Sequence, residues 1–153
     1  MPISPYIQNL RNHVGHDLLL IPSAAVLVED TQGRLLLARQ VDFGQWATIG
    51  GAVEPGENPR EAARREVREE VGLDVELVEL LDVVGGPDFT LTYPNGDRVA
   101  YISSVFRGLW RSGQLRPDGD EVSDAQWFTR SELTRVDLTP FASSLLHVVG
   151  YLS

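Results

Sequence analysis

One helix is spelled out near the middle of the chain, from Asn58 to Val71, and it dictates what the flanking segments must do. Asn58 is a residue type that caps a helix N-terminus, Pro59 suits the first helical position, and Gly72 can end the helix in the left-handed conformation. Ala63, Val67 and Val71 recur at helical spacing and predict a face turned to a core. Such a stripe needs a partner surface, and the segments around it are strand-like.

Before it, "DLLLIPSAAVLVED" reads as one or two strands broken near Pro22, and "LLLAR" as another, so Ala24 to Arg39 predicts a hairpin. "VDFGQW" predicts a loop, and Gly50 and Gly51 a flexible turn leading into the loop "GGAVEPGE". After the helix, "LDVELVELLDVVGG" is rich in Val and Leu, "FTLTYPNGDRVAYISSVFRGLW" alternates on both sides of a "PNGD" turn, and "DAQWFT" is a short strand. "RSELTRV" and "PFASSLLHVVGYL" predict closing helices. "SPYIQNLRNHVG" predicts a short first helix, capped by Ser4 and stopped by Gly15. This order predicts an α/β (α+β mixed) fold with helices packed on a sheet. The 153 residues suit one domain spanning 1–153, with 1–15 as an N-terminal helical extension.

A net charge of −9 argues against nucleic acid as a partner, because phosphate backbones attract basic surfaces. It leaves room for a small phosphorylated ligand bridged by divalent cations. With no cysteine, thiolate nucleophiles, disulfides and cysteine–zinc sites are excluded, which fits a cytoplasmic protein. The longest apolar run, Leu18 to Val28, is too short to span a bilayer, so no membrane partner is expected.

Between Glu57 and Glu70 the chain places five glutamates and four arginines. Glu66 and Glu70 lie about 40° apart around the helix, and Glu66 and Glu69 about 60° the other way, so the three share one broad face. A solvated surface helix explains such a face. So does a cluster of hard divalent cations, which relieves the repulsion that Arg65 relieves only in part. Glu57, on the loop before the helix, can fold back to join them.

The spacing goes further. Gly51, Glu57 and the run Arg65-Glu66-Val67-Arg68-Glu69-Glu70-Val71-Gly72-Leu73 fill every defined position of the signature that marks the Nudix hydrolases, and the chain resembles that family over most of its length. Ile49 departs from the proline that relatives often carry before the double glycine, and predicts a less rigid turn. The resemblance implies an α/β/α sandwich with a central mixed β-sheet and the signature helix beside it. It implies hydrolysis of a nucleoside diphosphate linked to another group, such as ADP-ribose, another nucleotide sugar, a dinucleoside polyphosphate or a nucleoside triphosphate. Mg2+, with Mn2+ as a substitute, is the implied cofactor. Glu66, Glu69 and Glu70 are the implied metal ligands or activators of water, with Glu57 assisting, Arg65 orienting the glutamates, and Gly50 or Gly51 offering a carbonyl. A non-hydrolytic nucleotide sensor of the same fold, or a purely structural acidic domain, is the alternative.

Residues outside the signature complete the expectation. Three glutamates on one helix leave the opposite side of a metal cluster open, so another carboxylate should reach in from a loop. "RPDGDEVSDAQWF" offers Asp118, Asp120, Glu121 and Asp124. Some Nudix relatives carry a distal glutamate shortly before such a tryptophan, which points to Glu121 as ligand or general base. Arg39, Arg98 and Trp46 are candidate substrate contacts, Phe43 and Tyr93 candidate stacking surfaces, and His13, His16 and His147 receive no catalytic role. The first fifteen residues could pack across a homodimer.

Overall fold

A computed structural model describes residues 3–153. Its central strand is β1 (Leu19–Glu29), which turns through Asp30 to Gly33 into β2 (Leu35–Gln40) as the expected hairpin. Pro22 does not break β1. Pairing with the fourth strand begins only at Ser23, so the missing N–H of Pro22 costs no bond there, while its carbonyl still accepts from the Val53 N–H. The loop after β2 leads to β3 (Trp46–Ala47) and β4 (Ile49–Ala52).

The β4 strand corrects the expected glycine turn. Gly50 and Gly51 lie in extended backbone, opposite Ala25 and Ala24 of β1, and neither has a positive φ. Their small size matters instead. A Cβ on Gly50 would collide with the Ala24 carbonyl oxygen, and one on Gly51 would collide with the Glu66 carboxylate. Ile49 accordingly sits in a strand, fully buried, and not in a looser turn.

The helix α2 (Pro59–Val71) follows. Asn58 accepts from the Glu61 N–H while Glu61 reaches back to the Asn58 N–H, and Gly72 closes the helix at φ 75°. Strands β5 (Leu73–Val84), β6 (Thr90–Thr92) and β7 (Arg98–Gly113) come next, β6 and β7 forming the hairpin around "PNGD". The last strand, β8 (Val122–Phe128), pairs with β2. The sheet runs β3-β2-β1-β7-β5, with β4 beside β1. It is mixed, because β1 and β7 are parallel and the other pairs antiparallel.

Alternation along β1 divides the interior. Ala24, Val26 and Val28 join Ala62, Ala63, Val67 and Val71 of α2 in one core. Ala25 and Leu27 face the other side and meet Leu145 and Leu146 of the closing helix, which spans Pro140–Val148. The result is the expected α/β/α sandwich. The segment "RSELTRV" is a single short 3-10 turn, Glu132–Arg135, in place of an α-helix. The helix α1 (Pro5–Val14), capped by Ser4, packs on its own chain: Ile7 meets a small cluster with Ile21 and Val99, and the Arg11 guanidinium donates to the carbonyls of Gly15, Asp17 and Arg98. No helix among the described residues is long and apolar enough to cross a membrane.

Candidate active site

Burial of Val67 and Val71 against the sheet, each contributing about 1.5–3 kcal/mol, fixes the rotation of α2. That rotation carries two of its glutamates inward with them. Glu66 is fully buried and Glu70 nearly so, whereas the Glu69 side chain is 45% exposed. The loop before β8 brings Glu121 to the same place. One carboxylate oxygen from each of Glu66, Glu70 and Glu121 lies within 4.8 Å of the others. The shared helix face predicted from spacing is therefore divided: Glu69 stands outside the group, held by Arg65 at 3.2 Å. The sequence contained that signal. Around the helix, Glu70 lies about 60° from Val67, Glu66 about 100° and Glu69 about 160°, so only the first two border the apolar stripe.

Arg65 ties the signature together. Its Nε and Nη2 grip both oxygens of Glu57 at 2.7 and 2.9 Å, its Nη1 donates to Glu66 at 3.0 Å and to Glu69, and its Nη2 also donates to the Ala52 carbonyl at 3.0 Å. That hydrogen bonding holds the Glu57 carboxyl below the usual range, against the effect of burial. Glu57 is thus a partner of the arginine and stands outside the three-carboxylate group.

The three grouped acids behave oppositely. Burial pushes Glu66 up to about 8, Arg65 opposing and Glu121 and Glu69 adding to the shift. Burial also raises Glu70 well above the usual range, with Glu121 and Glu66 contributing, against a 3.0 Å hydrogen bond from the Gly50 N–H. Burial raises Glu121 too, and Asp118 and Asp42 add to it. Removing a carboxylate from water costs several kcal/mol unless charge or hydrogen bonds compensate. Here Glu66 Oε2 is buried without a hydrogen-bond partner. Hard oxygen donors, crowding and an orphaned buried oxygen together fit a divalent cation such as Mg2+. They do not fit a solvated surface helix.

The group borders a cleft of about 1100 Å³, whose lining includes Gly50, Gly51 and Glu121. Phe43 and Tyr93 line it as well, ring centroids 5.7 Å apart, and Tyr93 and Tyr101 share a 2.7 Å hydroxyl contact. The other expected substrate contacts lie elsewhere. Trp46 packs edge-on against Phe128 in the second core, Arg39 donates to the Gly44 carbonyl at an exposed strand end, and Arg98 is exposed where β7 begins. None of the three lines the cleft. Tyr101, partly buried within β7 and lining the cleft, escaped sequence reading because nothing local marks it as cleft-facing.

The profile of a family described as "NUDIX domain" matches residues 19–149. The NAD-capped RNA hydrolase NudC of Stutzerimonas stutzeri (strain A1501) is 37% identical over 118 residues, covering 75% of this chain and 38% of that protein. The chain thus spans well under half the length of that relative. The nucleoside triphosphatase NudI of Escherichia coli (strain K12 / DH10B) is 33% identical over 128 residues, covering 78% of this chain and 90% of the relative. Among solved structures, the MutT protein from Methanosarcina mazei Go1 has a TM-score of 0.69 at 21% identity, covering 88% of this chain and 95% of that one.

Proposed function

The chain belongs to the Nudix family, and from that premise we propose that it is a pyrophosphohydrolase, using Mg2+ or Mn2+ to cleave a nucleoside diphosphate linked to another group. The observation that carries this reading is the approach of Glu66, Glu70 and Glu121 within 4.8 Å in a buried setting. Three carboxylates so placed are costly alone and suited to hold a cation against an anionic substrate.

In the proposed reaction, water attacks one phosphorus of the pyrophosphate. The bridging P–O bond breaks, water supplies the new oxygen, and each product leaves with a terminal phosphate. Bound Mg2+ would neutralise phosphate oxygens and lower the pKa of water. Glu66 and Glu70 would hold the cation, with a carbonyl of Gly50 or Gly51 as a further ligand. Glu121 would ligate the cation or take the proton of the attacking water, a role typically worth about a hundred- to ten-thousand-fold. Arg65 keeps Glu57, Glu66 and Glu69 in place by its hydrogen bonds. Glu57 and Glu69 would serve any additional ion. Phe43 and Tyr93 are the proposed stacking surface for a base, in place of Trp46.

Relatives act on NAD-capped RNA and nucleoside triphosphates by their names, and similar folds include an ADP-ribose pyrophosphatase. The net charge of −9 favours small nucleotides over RNA. The test is a panel of NAD+, ADP-ribose, other nucleotide sugars, dinucleoside polyphosphates, nucleoside triphosphates and NAD-capped RNA, assayed with Mg2+ or EDTA. Mg2+-dependent release of monoester phosphates supports the enzyme. Binding without turnover would replace it by a nucleotide sensor. A cytoplasmic location and a homodimer are proposed alongside it, and light scattering would check the dimer's mass.

A further inference from the structure

Glu121 stands on a loop that returns from β7 to β8, and loops do not by themselves hold a carboxylate to within ångströms. This one is anchored twice. Along its entry, the Arg116 N–H donates to the Val71 carbonyl at 2.9 Å and the Asp118 N–H to the Glu70 carbonyl at 3.0 Å. Those carbonyls end α2 and have no partner within the helix. The loop therefore caps the helix that carries Glu66 and Glu70.

The second anchor is the Asp118 side chain. Its Oδ1 accepts from three successive backbone N–H groups, those of Asp120, Glu121 and Val122, at 3.0, 3.1 and 2.9 Å. The Glu121 carbonyl accepts from the Val41 N–H at 2.9 Å. Both backbone polar groups of Glu121 are thus fixed, one by Asp118 and one by Val41, just past the end of β2. Asp118 grips the catalytic end of α2 with its backbone and Glu121 with its side chain.

We propose that Asp118 is the positioning residue that sets Glu121 at the metal-binding group, coupling the loop to the Glu70 end of α2. This rests on the proposed role of Glu121 and adds to it. The Asp118 side chain lies outside the group of three carboxylates, and its hydrogen bonds run to the loop. Because one oxygen accepts all three bonds, an amide oxygen in its place keeps the same acceptor geometry. Misplacement by about 1 Å costs on the order of a hundredfold in a positioned site.

The experiment is a double-mutant cycle of Asp118→Ala and Glu121→Gln, with Asp118→Asn alongside. Turnover is read on the best substrate of the panel, and Mn2+ affinity is measured by calorimetry without substrate. Asp118→Ala should lower kcat by about ten- to a hundredfold with KM nearly unchanged, and weaken Mn2+ binding in the same direction as Glu121→Gln. Adding Asp118→Ala to Glu121→Gln should cost nothing more, since both act through one group. Asp118→Asn, which keeps that acceptor oxygen, should restore most of both readouts. Parental behaviour of Asp118→Ala beside an impaired Glu121→Gln would overturn the positioning role alone, as would fully additive losses. Parental behaviour of Glu121→Gln in both readouts would instead remove the role of Glu121, and this proposal with it. If Asp118→Ala does not fold, Asp118→Ser takes its place in the cycle, because a hydroxyl cannot reach all three amides.

Discussion

Arg65 grips Glu57 through two parallel hydrogen bonds, Nε to Oε2 at 2.7 Å and Nη2 to Oε1 at 2.9 Å. The pair closes the loop before α2 onto the helix, and the same guanidinium reaches Glu66 and Glu69. Only a planar fork can serve so many acceptors at once.

Arg65→Lys therefore separates charge from geometry. A lysine restores the positive charge but cannot make the paired bonds. The expected outcome is a loss of roughly 1–3 kcal/mol of stability and a fall in turnover of about ten- to a hundredfold, from misplacement of the glutamates that it holds. Urea midpoints and kcat measured on the same preparation check both, and a fully active, fully stable lysine variant would contradict the orienting role.

The two glycines of β4 should fail in different ways. Gly50→Ala presses a methyl onto the backbone of β1, which has little room to yield, so stability should drop by about 1–3 kcal/mol. Gly51→Ala presses on the Glu66 carboxylate, which can move aside. That variant should stay folded and lose metal affinity and turnover. Thermal melts beside Mn2+ titrations distinguish the two, and equal effects of both substitutions would show that the glycines have one shared role.

Glu70→Gln keeps the acceptor for the Gly50 N–H and removes a buried charge. Turnover should fall at least about a hundredfold, as for loss of a major electrostatic contact. Without metal, the variant should melt no lower than the parent at pH 8. An active variant, or an unfolded one, would count against Glu70 as a metal ligand.

The metal-free protein should lose stability as pH rises. Glu66 is raised from an ordinary 4.5 to about 8, so the fold prefers its protonated form. The folded state then binds more protons than the unfolded one between these values, and stability falls with pH across that window. The contribution is complete below 4.5 and is lost as pH rises through about 8. Mg2+ binds the ionised form, so the gain in melting temperature on adding it should be larger at pH 8 than at pH 6. Equal gains at both values would remove the buried acid as the cause.

What could be read in advance followed the range of the forces involved. The boundaries of α2 are local chemistry, since the Asn58–Glu61 capping box and the Gly72 stop act within a turn of their own positions. The β4 strand was hidden because glycine disfavours strands, and the reason for glycine there lies across the sheet, at Ala24, and across to the helix, at Glu66. Trp46 looked like a stacking surface, yet its neighbour Phe128 is far away in sequence and draws it into the second core. Glu121 could be picked out from its loop, but the three amides that fix it there, gathered by Asp118, follow from a fold in the loop that no periodicity announces.

The alternation of β1 has a practical consequence for protein engineering. Its even-numbered residues from Ala24 to Val28 touch the side that carries the carboxylates, and Ala25 and Leu27 touch the side closed by Leu145 and Leu146. A designer seeking a tougher enzyme has a workspace on that far side, around Leu27, Leu145 and Leu146. Substitutions there can be screened by heat first, and those next to Ala25 and Phe141, which also line the cleft, must then be checked for turnover.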